Sequence, residues 1–164
     1  MGSLFFACFF SYLSLGSFIY EDFFALDETQ FSLCFATTAA LSLLGPVLSV
    51  VMEKRLKFKI SINILFVFGF ISIILVFTIG QTSPIAFLAS FTIYAVANSI
   101  FRPYCTNKLL DMHDGDTGSA TSFLNFIFTI LGTIGMLACD LPTPNYVITE
   151  AICMIFFVGL AFII

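Results

Sequence analysis

The chain has 164 residues, 60% of them apolar and 10% charged, and its mean hydropathy is +1.09. A soluble domain carries about one quarter charged residues, so the composition excludes one; what remains is an all-α integral membrane protein with room for at most about six to seven spans. A net charge of −4 and six Lys and Arg leave no basic surface for nucleic acid, and the partners implied are the lipid bilayer and other helices.

Apolar runs bounded by charge, Gly or Pro predict six transmembrane helices, over residues 3–20, 31–52, 60–80, 84–102, 118–138 and 145–164, in a single domain 1–164. The first run lacks a basic leader and passes directly into further spans, so it reads as a retained helix. It carries Ser11, Ser14 and Ser17 at three-residue steps, with Tyr12 and Gly16 between them. The second run carries Ala36, Ala39, Ala40 and Gly45, a small-residue pattern that implies a close neighbour. A Gly80 to Pro84 turn separates the third run from the fourth, where Ser90, Tyr94 and Asn98 recur every four residues. On the fifth, Thr121, Asn125, Thr129 and Thr133 repeat that spacing, with Gly132 close by. These polar rows have two readings, as contacts between helices or as the lining of a cavity.

Lys54, Arg55, Lys57 and Lys59 lie in the second connection, and Arg102 and Lys108 in the fourth. In a six-span chain these connections share one face, which the retention of basic residues makes cytoplasmic, with both termini on that side of the cell membrane. Tyr20, Tyr104 and Tyr146 sit near span ends as interfacial anchors. The stretch from Phe6 to Tyr12 loosely echoes Leu88 to Tyr94, 82 residues later, which suits two inverted three-helix repeats.

No span has an ionisable residue at its middle, the usual mark of a proton relay or ion site. Asp140 ends the fifth span, and Glu150 falls within a turn or two of the outer interface, within reach of water. The five cysteines (Cys8, Cys34, Cys105, Cys139, Cys153) show no metal or redox spacing and read as small packing residues. His113, with Asp111, Asp114 and Asp116, has no ligand spacing and reads as a solvated loop, so neither metal nor cofactor is expected. A membrane enzyme needs an intramembrane Ser–His pair, paired Asp or a His–Glu cluster; the spans contain none, and no enzyme is expected.

Three stretches carry a family resemblance. They are Phe5 to Ala40, with Phe18-Ile19-Tyr20-Glu21 and Gln30-Phe31-Ser32 within it; Pro103 to Thr106; and Thr117-Gly118-Ser119-Ala120-Thr121-Ser122-Phe123-Leu124 followed by Gly132. Together they resemble the C-terminal six helices of the Bcr/CflA-type multidrug:proton antiporters of the major facilitator superfamily. Leu15-Gly16-Ser17-Phe18 stands where that family has Gly-Ser-Pro-Phe, and Tyr104 replaces its Asn. The resemblance implies half of a twelve-helix transporter, exporting drugs or other small molecules by alternating access and needing a second six-helix half or self-association. It also implies that spans one, two, four and five line the cavity, that Tyr12, Ser14, Tyr94, Asn98, Asn125 and Thr129 contact the substrate, and that the proton-coupling acids lie in the other half. The alternative expectation is a truncated or fragmentary membrane protein without transport, since Met1 lies almost on a span and the chain ends within an apolar run.

Overall fold

Inside a bilayer no water pairs with backbone N–H and C=O groups, so a long apolar run must close its hydrogen bonds within a helix. Six helices among the described residues are long and apolar enough to cross a membrane, and the protein is an all-α membrane protein. The computed structural model describes residues 2–111, 117–139 and 145–163; the loop holding His113 and the Asp140 position lie outside them.

The first span is α1 (Gly2–Ser17) continued by a six-residue π-helix, Phe18–Phe23. The second is α2 (Glu28–Ser42) followed by α3 (Leu44–Arg55). They part at Leu43 because Pro46 offers no N–H to the Ser42 carbonyl and its ring crowds that group. Then follow α4 (Phe58–Thr78), α5 (Pro84–Asp111), α6 (Thr117–Cys139) and α7 (Tyr146–Ile163). The fourth span does not stop near residue 102 as the sequence predicts. It runs through Pro103 to Asp111, 28 residues in all. That is about 42 Å against a hydrocarbon core of about 30 Å, so the helix extends past the membrane boundary.

The spans alternate in direction. At one end Gly2 lies against Phe101 and Cys105, and Phe58 stacks on Tyr104 with ring centroids 5.4 Å apart. At the other, Phe18 meets Tyr146 at 5.5 Å and the Asn145 amide donates to Gln81 Oε1 at 3.3 Å. Asn145 also caps α7, its Oδ1 accepting from the Val147 and Ile148 N–H groups at 3.1 and 3.2 Å. The second and fourth connections therefore share an end, opposite the first. In a variant lacking the native cysteines, a Cys at position 21 and one at position 57 are expected to react with an impermeant maleimide from opposite sides; labelling from the same side contradicts the fold.

The repeat echo is real in three dimensions. The first span packs on the fifth and sixth, the fourth on the second and third, the third on the sixth, and the first on the fourth. Exchanging the first three spans with the last three maps this scheme onto itself, and three spans per repeat make the repeats inverted. The same exchange relates the core rings, since Phe5, Phe9 and Tyr12 have counterparts 82 residues on in Phe87, Phe91 and Tyr94. Phe9 meets Phe91 at 6.5 Å, while Tyr12 with Phe87 at 6.3 Å mirrors Tyr94 with Phe5 at 4.8 Å. Aromatic pairs at such separations contribute about 0.5–1.5 kcal/mol each beyond burial.

Glycines set the closest helix approaches. A methyl at Gly135 of α6 would overlap the Ala7 carbonyl oxygen of α1, and one at Gly45 of α3 would overlap Ser99 of α5. Of the small residues noted on the second span, Gly45 alone makes such an approach; Ala36, Ala39 and Ala40 are exposed.

Candidate functional site

A cavity of about 550 Å³ opens between the first, second, fourth and fifth spans. Phe6 and Phe9 of α1 and Pro46 of α3 form its apolar wall, and Asn98 and Arg102 of α5 face Asn125 of α6. The third and sixth spans contribute nothing to this wall among the described residues. They instead present Phe68, Ile71, Ile74, Ile155 and Phe156 outward, large apolar groups suited to lipid.

The four-residue row on α5 changes role with depth. Ser90 and Tyr94 tie helices together: the Ser90 carbonyl accepts from Ser72 Oγ at 2.6 Å, and the Tyr94 hydroxyl donates to the Phe5 carbonyl. One turn further on, Asn98 reaches the cavity, and after another turn so does Arg102. Both readings of the polar rows are thus realised on one helix.

Arg102 is the residue that sequence reasoning missed. The charge pattern alone puts it in a cytoplasmic connection, yet it continues the Ser90, Tyr94, Asn98 spacing, and that continuation is the available signal. Its guanidinium carbon stands 4.5 Å from the Phe6 ring centroid and 5.4 Å from that of Phe128. Such contacts hold the cation without discharging it, because a ring has a quadrupole and no net charge.

The residues expected to contact substrate separate accordingly. Asn98 and Asn125 line the cavity. Tyr12 does not: it is 1% exposed and stacks on Phe91 at 3.9 Å. Tyr94 is equally enclosed in the aromatic core, and half-buried Ser14 is not part of the cavity wall. Thr129 is exposed one turn beyond Asn125, its hydroxyl donating to the Asn125 carbonyl at 2.8 Å. Thr133 bonds back to Thr129 in the same way at 2.9 Å. A hydroxyl satisfied by its own helix carries little cost at a lipid or cavity surface, whereas the Asn125 amide has no such local partner among the described residues.

Glu150 departs from its expected place. It is not within reach of water but 0% exposed, because it belongs to the inward stripe of α7 formed with Val147, Ala151 and Met154. Ser11 Oγ lies 3.1 Å from Glu150 Oε1 and 2.6 Å from the Cys8 carbonyl oxygen. A hydroxyl has one proton, so it serves one of these acceptors at a time. Oε2 has no hydrogen-bond partner among the described residues. The bundle interior therefore holds a carboxyl group that sequence position alone puts at its edge.

No protein-family model, curated protein or solved structure matches the chain.

Proposed function

We propose that this chain is one half of a major-facilitator-type transporter, exporting a small molecule by alternating access together with a second six-helix half or a second copy of itself. The observation that carries this reading is the amide of Asn125, exposed on α6 and opening into the cavity. Asn125 lies eight residues into α6, about 12 Å along the helix. At that depth an amide needs water or a partner. The second and fifth spans, which border the cavity, are also the least buried of the six, so one face stands uncovered where a second half would sit. The inverted three-helix repeats are the architecture that facilitator halves use to rock about a central site. The clustering of basic residues at the end bearing Gly2 supports a cell-membrane protein with both termini cytoplasmic.

The test is efflux of a fluorescent substrate from cells expressing the chain with a six-helix half that supplies intramembrane Asp or Glu. Asn98→Ala and Asn125→Ala are each expected to lower transport about tenfold, the worth of one hydrogen bond of about 1.4 kcal/mol, with the protein still folded. Efflux that is unchanged by adding or deleting the chain refutes the proposal.

A second reading, a membrane protein that packs with other helices and transports nothing, draws on the self-satisfied hydroxyls of Thr121, Thr129 and Thr133. Under it, both Asn variants alter assembly in detergent and leave efflux untouched.

A further inference from the structure

We infer that the cavity is an anion-binding site, taking an amphiphile whose carboxylate, sulfonate or phosphate sits at Arg102 and whose apolar body lies along Phe6, Phe9 and Pro46. The inference deepens the transporter reading and rests on it for the biological role, since it names the substrate class of the same cavity.

Charge in the wall is the first argument. Arg102 is its only formal charge among the described residues, and no Asp or Glu lines it. Asn98, Asn107 and Asn125 surround the cavity with amides, whose NH₂ groups donate to an anion. Five fixed N–H donors make a guanidinium a better match for planar or tetrahedral oxyanions than for any neutral group. A cationic ligand meets repulsion here and, among the described residues, no compensating carboxylate.

Depth is the second argument. Arg102 lies 18 residues beyond Pro84 along α5, about 27 Å at 1.5 Å per residue. That places it near one boundary of the hydrocarbon core, where an amphiphile keeps its head. The chemistry has two sources, a free aryl or acyl anion and the headgroup of an anionic phospholipid.

The experiment uses two photoactivatable benzophenones of matched shape and opposite charge, 4-benzoylbenzoate and (4-benzoylbenzyl)trimethylammonium. Each is irradiated with the purified chain in phosphatidylcholine nanodiscs, and adducts are mapped by mass spectrometry. The anionic probe is expected to label α1 and α5 around Phe9 and Ala95. The cationic probe is expected to label these helices at least about tenfold less, the discrimination of one charge-assisted contact. Arg102→Gln is expected to remove the preference. Asn125→Asp, at an exposed position that spares the packing, is expected to reverse it by placing a carboxylate in the wall.

A second arm adds phosphatidylglycerol to the nanodiscs. Loss of labelling as its fraction rises, with the lipid retained on wild type and not on Arg102→Gln in native mass spectrometry, identifies a headgroup as the occupant. Labelling that persists identifies a free anion, and either result supports the site. Equal labelling by both probes, or an Arg102→Gln protein of unchanged preference, overturns it. No partner half is involved, so failure here leaves the efflux test standing and the reverse outcome leaves the site standing.

Discussion

Gly135→Ala is expected to destabilise the folded bundle by about 2–3 kcal/mol, and Gly135→Leu to prevent recovery of folded protein. The added methyl overlaps the Ala7 carbonyl oxygen, a backbone atom of a helix that can yield only if the whole first span shifts. That shift also disturbs Phe5, Phe9 and Tyr12, which carry one half of the pseudo-symmetric aromatic core. Gly132, one turn earlier, faces the Phe10 ring with its nearest atom at 3.0 Å, and a half-buried side chain can move. Its Ala variant is therefore expected to cost less. Gly159 supplies the control, because nothing among the described residues lies within 4 Å of a Cβ built there. Gly159→Ala is expected to be neutral or to stabilise by up to about 1 kcal/mol through helix propensity alone. Reversible unfolding by sodium dodecyl sulfate in mixed micelles, followed by circular dichroism, measures all three. Equal responses at Gly135 and Gly159 mean that the first and fifth spans do not cross as described.

The difference between those glycines shows where reading the sequence succeeds and where it stops. Hydropathy alone places the spans, since the bilayer dictates their length whatever their neighbours. The echo of Phe6–Tyr12 in Leu88–Tyr94 registers the repeat for a related reason: both segments fill equivalent places in one symmetric core. Azimuth is harder. Gly135 and Gly159 both sit in apolar helices, and no periodic signal says which of them meets a backbone. The same limit misplaced Glu150, whose depth was legible while its rotation toward Ser11 was not. Tyr94 and Asn98 share a row and differ in role because a helix facing its neighbour at one turn faces a cavity at the next. Pro103 lies inside α5, where the loss is one hydrogen bond at the Ser99 carbonyl, and the helix continues past the residue at which the apolar run ends.

Ser11→Ala is expected to cost about 1–3 kcal/mol, since it leaves Glu150 with no hydrogen-bond partner among the described residues. Glu150→Met is expected to be neutral or stabilising, because a flexible apolar chain of similar length replaces a group whose second oxygen is already orphaned. Ser11 keeps its 2.6 Å bond to the Cys8 carbonyl in that variant, so removing the carboxyl strands no hydroxyl. The decisive quantity is the coupling. In the Glu150→Met background, Ser11→Ala loses only a local bond within α1 and is expected to cost about 0.5 kcal/mol or less. The cycle thus separates a carboxyl sealed between the first and sixth spans from one that water reaches. A hydrated Glu150 would not depend on Ser11, and the serine substitution would then cost the same in both backgrounds. A cost confined to the Glu150 background makes the carboxyl part of the packed interior, held there by one hydroxyl that also answers to Cys8. Because α1 and α7 each supply one partner, any conformational step that separates the first span from the sixth must first break this contact, and Glu150 is the group whose environment such a step would change most.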